Sequence, residues 1–234
     1  MKFALPLLAL SLVLFCSCKE RKEGSQHWDE GSIPISKKCA ECHQKEYAAW
    51  VRSDHAWAAR PAGMVPDATA FAGQKLEAHG MTLIPERNAQ GGFQFREEAS
   101  GKIFPVKQVI GRKPLIQFAV EGERGAWQVP SAAWDVEKKE WFDVFRDDAL
   151  QRENGSAERK PGEWGHWTGR GMTWNAQCAW CHMSGYHKNY TPETDSYAST
   201  AKEPGVTCIA CHRLSDTKQK DGCMVAKEDR VMTR

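Results

Sequence analysis

A five-residue pattern that occurs three times constrains this chain more than any other feature. Cys39-Ala40-Glu41-Cys42-His43, Cys178-Ala179-Trp180-Cys181-His182 and Cys208-Ile209-Ala210-Cys211-His212 all read C-x-x-C-H. Two thiols three positions apart share one helical turn, where they can add to the two vinyl groups of a haem. The His that follows brings an imidazole nitrogen under the iron. Chance supplies on the order of 0.01 such patterns in a chain of this composition. Zinc sites made from C-x-x-C pairs use two pairs each and would strand the third. A disulfide closing so short a loop would stabilise little, and a thioredoxin-like redox pair wants a βαβ setting that is not visible here. The motifs therefore predict three covalent c-type haems, on Cys39 and Cys42, on Cys178 and Cys181, and on Cys208 and Cys211. His43, His182 and His212 are the expected proximal iron ligands.

The rest of the composition fits a chain that packs around something besides its own aliphatics. Of 234 residues, 41% are hydrophobic and 26% charged, which excludes both a disordered tail and a polytopic membrane protein. Ten tryptophans offer surface suited to porphyrin planes. A formal net charge of +2 provides no basic field for nucleic acid, so none is expected as a partner. The chain opens on Met1-Lys2 and an apolar run over 4–15, then Phe15-Cys16-Ser17-Cys18 and the charged stretch 19–23. This reads as a signal peptide over 1–17 with Cys18 as the lipidated mature N-terminus and 18–35 as a solvated tether. Export to the periplasmic side follows, with a lipid anchor holding the protein at a membrane surface without spanning it. Cys223, outside every motif, is expected to be a free surface thiol.

Texture divides the remainder. Residues 36–60 read as one helix around the first motif: Ser36 is a plausible N-cap, the interior is rich in Ala and Glu, and Pro61 stops it. From 80 to 145 short alternating or apolar runs separated by Gly and Pro predict five or six strands, at 81–84, 92–97, 102–110, 114–121, 125–134 and 140–145. The expected organisation is a first haem module over 36–72, a β insert over 73–150 and a second and third haem module over 151–234. The fold class is therefore α+β, mostly helix and loop, with the β insert between the first and second haems.

Five histidines lie outside the motifs. On a continuous helix His55 would stand about 18 Å along the axis from His43, too far to serve the same iron. It is expected to ligate a different haem. His166, before Trp167-Thr168-Gly169 on a turn, is expected to do likewise. His27 belongs to the tether, and His79 and His187 are lesser candidates. Met172 and Met183 read as packing.

The stretch 39–59, with Glu46-Tyr47-Ala48-Ala49-Trp50 and Ser53-Asp54-His55-Ala56, resembles the opening of exported multihaem cytochromes of the cytochrome c-554 class. Residues 117–134, 141–145 and His166-Trp167-Thr168-Gly169-Arg170 through His182 are similar to their tetratricopeptide-bearing relatives. The resemblance covers about 36–212 and departs after the third motif, where Arg213-Leu214-Ser215-Asp216 follows. It implies electron transfer by haems whose second ligands are histidines from elsewhere in the chain. The expected role is that of an electron carrier between redox partner proteins. The alternative is a reductase or oxidase of a small nitrogen or sulfur oxide, which needs one haem iron left open.

Overall fold

Alternating burial along residues 76–143 builds one antiparallel sheet that dominates the molecule. The computed structural model describes residues 35–144 and 159–212. The signal segment, Cys18, residues 19–34 with His27, the stretch 145–158 and Cys223 lie outside the described residues. The strands are β1 (Leu76–Ala78), β2 (Met81–Arg87), β3 (Phe93–Glu97), β4 (Ile103–Ile110), β5 (Leu115–Glu121), β6 (Trp127–Gln128), β7 (Ala132–Asp135) and β8 (Glu140–Asp143). They pair in the order β1-β2-β3-β4-β5-β7-β8, with β6 also on β5, and β8 returns against β1 to leave a nearly closed barrel. Each pairing is antiparallel, as short hairpin connections require.

Period-two patterning fills the interior of this barrel. Met81 and Leu83 of β2, Phe93 and Phe95 of β3, and Ile116, Phe118 and Val120 of β5 are all buried. Phe71, just after the short helix α3 (Val65–Ala70), joins them; its ring lies 4.7 Å from Phe93 and meets Phe118 edge-on at 5.0 Å. β5 is buried on both faces. Its outward Ala119 belongs to a second apolar cluster with Ala59, Trp127, Trp174, Met183 and Tyr186. The small Ala119 side chain leaves room there, and the second C-x-x-C-H segment packs into it.

This architecture corrects the expected fold class. The protein is mostly β, and the sheet is its body rather than an insert in a helix-and-loop protein. Among the described residues helices are confined to short pieces: α1 (Ile35–Cys39), α2 (Gln44–Trp50), α3, α4 (Trp174–Gln177), α5 (Ala179–His182) and α6 (Cys208–Cys211). Haem attachment needs a single turn, so the motifs demand nothing longer. The helix expected over 36–60 breaks for a local reason. At the end of α2 the Ser53 N–H and hydroxyl both donate to the Trp50 carbonyl, at 2.8 and 2.6 Å, and the Trp57 indole donates to Val51 at 3.0 Å. Side-chain donors thus take the carbonyls that a continuing helix would use. The 18 Å separation of His55 from His43 falls with that helix.

After α2 the chain is riveted to the sheet. Arg60 exchanges both backbone hydrogen bonds with Val109 of β4. Its guanidinium grips Asp67 through two bonds of 2.6 and 2.7 Å, and Asp67 also accepts the N–H groups of Gly63 and Met64. Asp67 is fully buried and Arg60 nearly so. Replacing Asp67 with Ala strands a buried guanidinium, a loss of about 3–5 kcal/mol. The urea midpoint of the Asp67→Ala protein is expected to fall accordingly.

Candidate haem sites

Each motif folds into the same turn. The N–H of His43 donates to the carbonyl of Cys39 at 2.8 Å, that of His182 to Cys178 at 3.2 Å, and that of His212 to Cys208 at 2.8 Å. This i+4 to i bond closes one α-turn and sets the two cysteines and the histidine on one side of it. The first cysteines, Cys39, Cys178 and Cys208, are half-buried, whereas Cys42, Cys181 and Cys211 are exposed. Burial, and then the neighbouring Cys181, push the Cys178 thiol above its ordinary range. In the central motif Trp180 lies on the far side of the turn from Cys178, Cys181 and His182, and it is 75% exposed.

His182 is the most firmly placed of the proximal histidines. Its Nδ1 lies 2.8 Å from the carbonyl oxygen of Ala58, which can only accept, so Nδ1 carries the proton and Nε2 keeps its lone pair. That tautomer is the one an iron ligand needs, and the carbonyl partner fixes the orientation of the ring. Trp174, buried, lies against the imidazole with ring centres 5.4 Å apart. The next residue, Met183, starts the short strand β9 (Met183–Ser184) and is buried, with its sulfur 3.1 Å from the Gln108 amide nitrogen of β4. Met183 is thus packing, as its neighbours in the apolar cluster also show. His43 and His212 are exposed on their turns.

The first and third motifs meet although 169 positions separate Cys39 from Cys208. The Cys208 thiol lies within hydrogen-bonding reach of Cys39, and burial with this neighbour pushes it up to about 11. The contact is built by backbone and side-chain bonds on either side. The Trp50 indole donates to the Val206 carbonyl at 2.8 Å, the Val206 N–H donates to the His55 carbonyl at 2.8 Å, and Ser36 binds Glu203 of β10 (Glu203–Pro204). Gly205 has φ of +79°, and a Cβ there would lie 2.9 Å from the Ala56 carbonyl oxygen. Only glycine permits so close an approach in that conformation. Among the described residues no group of three or more His, Cys, Asp or Glu is assembled to hold a metal ion directly.

The two expected distal ligands occupy very different places. The His55 ring is exposed, on the loop that supports the third motif. His166 is completely buried, with both nitrogens engaged. Nδ1 accepts from the Thr168 N–H at 3.1 Å and lies 2.7 Å from its hydroxyl, and Nε2 is 3.2 Å from the His79 carbonyl. His79, at φ of +48° in the β1–β2 turn, stacks loosely beside it at 5.6 Å. His187 is exposed and pairs through its backbone with Thr200. The Ala58 carbonyl, Trp174, Gln108 and the Ser36–Glu203 pair went unpredicted. A backbone carbonyl has no sequence signature, and the others look like ordinary core or polar residues.

The turns and the tautomer of His182 fit covalent haem, and the comparison with known families agrees. The family described as cytochrome c554 and c-prime matches residues 38–82 and 138–213, a span that contains all three motifs. The chain belongs to this family. Covalent haem c and haem-based electron transfer come with that membership. The family match passes over 83–137, where most of the barrel lies. Among solved structures, the chain is similar to the outer cell wall cytochrome OcwA, at 17% identity and a TM-score of 0.42, over 75% of this chain. The chain spans 30% of that protein's length. A search of curated proteins found no match.

Burial holds the His166 pKa below the ordinary histidine range, with the hydrogen bond to the His79 carbonyl opposing it. The unfolded chain therefore binds a proton that the native chain refuses, and stability rises with pH in that interval. The contribution is complete above about pH 6.5 and is lost as pH falls through the native value. Melting temperatures measured from about pH 7.5 down to about pH 5 should decline, and His166→Gln should flatten part of that decline.

Proposed function

We propose that this cytochrome is an exported carrier with three haems, one on each C-x-x-C-H turn, passing electrons between redox partner proteins at the outer face of a bacterial membrane. The observation that carries the reading is the identical turn at 39–43, 178–182 and 208–212, each leaving its cysteine pair and histidine together. The contact between Cys39 and Cys208 supports a close pair of centres at the first and third turns. The second turn, docked on β5 and linked to the same loop through Ala58, supports a third centre in communication with that pair. His43, His182 and His212 supply the proximal nitrogens. His55, exposed beside the approach to the third motif, is proposed as a distal ligand to a haem other than that of the first motif, its nearest in sequence.

His166 favours a second reading as well as the first. Its turn suits another distal ligand, yet both its nitrogens are held by Thr168 and His79. Where that arrangement persists with haem bound, His166 ligates no iron, and an iron that gains no other second ligand is open, as a reductase or oxidase of a small nitrogen or sulfur oxide requires. Electron paramagnetic resonance of the holo-protein separates the two: all-low-spin haem supports the carrier, and a high-spin component supports the enzyme.

No helix among the described residues is long and apolar enough to cross a membrane. Membrane attachment is proposed through a lipid on Cys18, with residues 1–17 removed. The denatured, processed protein should exceed its polypeptide mass by three haems when made in a host with full maturation machinery; two or fewer would overturn the trihaem reading. Cys18→Ser should shift the protein from the membrane to the soluble periplasmic fraction.

A further inference from the structure

The contact between Cys39 and Cys208 is made by the fold and not by the sulfurs. Residues 203–207, which lead into the third motif, are pinned along their length. Ser36 donates to the Glu203 carboxylate from its N–H at 2.9 Å and from its hydroxyl at 3.0 Å. β10 pairs with β9 through Glu203 with Ser184 and Pro204 with Met183. The Ser184 hydroxyl donates to the Gly205 carbonyl at 2.9 Å and accepts from the Thr207 N–H at 2.8 Å. Val206 is held from both sides, by the His55 carbonyl and the Trp50 indole. On the facing side Ser36 belongs to α1, which ends at Cys39. Both cysteines are thus delivered to one place by bonds that involve neither thiol.

The second motif shows what is particular here. The cysteine that acts on the Cys178 thiol is Cys181, of the same turn. For Cys208 it is Cys39, 169 positions away in the sequence. A bridge within one turn closes a tiny loop, whereas a bridge across most of the chain removes far more freedom from the unfolded state. Two thiols held in contact also react as an intramolecular pair, at an effective concentration that no free thiol in solution matches.

We propose that the chain awaiting haem carries a disulfide between Cys39 and Cys208, a staple that joins the first and third motifs. The oxidant is a second disulfide, that of a dithiol oxidase or of a small thiol. The Cys39 thiolate displaces one sulfur of that disulfide and leaves a mixed disulfide. Cys208 then gives up its proton, attacks the Cys39 sulfur and releases the other sulfur of the oxidant. The Cys39–Cys208 bond forms and the oxidant's S–S bond breaks. The cysteines lose two electrons and two protons, and the oxidant leaves as two thiols. Burial and the Cys39 neighbour push the Cys208 thiol up to about 11, which makes it the resolving partner and not the first nucleophile. Haem attachment consumes both sulfurs as thioethers, so the staple belongs to the chain before attachment, and a dithiol reductant frees both turns in one step. That consequence rests on the trihaem reading; the staple itself does not.

The test is a non-reducing tryptic digest of the full chain, made without haem-attachment machinery, oxidised with glutathione disulfide and then alkylated. One species should join peptides 39–45 and 203–213, with fragment ions assigning the bond to Cys39 and Cys208. Dithiothreitol should split it. The oxidised chain should melt about 5 °C or more above the reduced one. Cys39→Ser and Cys208→Ser should each remove the joined species and lower the melting temperature of the oxidised chain, whereas Cys42→Ser and Cys211→Ser should keep the species. A bond that runs through Cys42 or Cys211 overturns the proposal, as does absence of the joined peptides when circular dichroism shows the sheet formed. A chain with neither sheet nor joined peptides overturns it equally, since only the fold brings the two sulfurs together. Denatured mass of the mature protein counts its haems, so failure of the trihaem reading is seen separately from failure of the staple.

Discussion

Backbone carbonyls and amides of His55, Ala58 and Arg60 hold the three attachment turns in one arrangement. The His55 carbonyl accepts Val206 ahead of the third motif, the Ala58 carbonyl accepts the Nδ1 proton of His182 in the second, and Arg60 pairs with Val109 of the sheet. The first motif is joined to this stretch by the short chain through α2. One segment of irregular backbone thus connects all three sites and the barrel. Its shape is maintained by the buried Arg60–Asp67 pair and by the Trp57 ring, which lies between the guanidiniums of Arg60 and Arg112 at 5.7 and 5.3 Å. Backbone bonds of this kind survive side-chain change, so the arrangement depends on where the chain runs more than on what it carries.

The barrel explains why the sites differ from one another. β5 is buried on both faces, and its Ala119 admits Trp174, Met183 and Tyr186 of the second motif's neighbourhood. The Ala58 carbonyl and the Trp174 ring consequently fix His182 in tautomer and orientation. The first and third turns lie at the surface instead, pressed on each other through Ser36, Glu203 and the two cysteines. Their histidines are exposed, so a bound haem would supply much of their packing surface. Folding and cofactor attachment are coupled most tightly where the polypeptide alone buries least.

Much of the local structure was legible in the sequence. The three attachment turns, and strands near 81–84, 92–97, 102–110 and 114–121, follow from motif spacing and from period-two patterning that the sheet then uses. The relative weight of helix and sheet is not legible there, because C-x-x-C-H needs only one turn and says nothing of how far a helix continues. The helix over 36–60 failed for a reason with a visible trace: Ser53 and Trp57 can bond back to Trp50 and Val51, as polar and indole donors near a helix end often do. His166 was read from its turn, yet burial beneath the β1–β2 connection engaged both its nitrogens, and nothing local to residue 166 announces His79.

The sequence by itself determined the chemistry of this protein. A thiol pair and an imidazole at fixed spacing can be read without coordinates, because covalent attachment depends on residues within one turn. Tertiary structure decided which turns are neighbours. Cys39 meets Cys208 and His182 meets Ala58 because an antiparallel barrel closes between the first and second motifs and brings distant segments back to one edge. That closure is a matter of register and burial summed over eight strands, and no short pattern encodes it. The buried Glu203 at the resulting seam exists only as a consequence of that folding, since in the sequence it is one acidic residue among thirty.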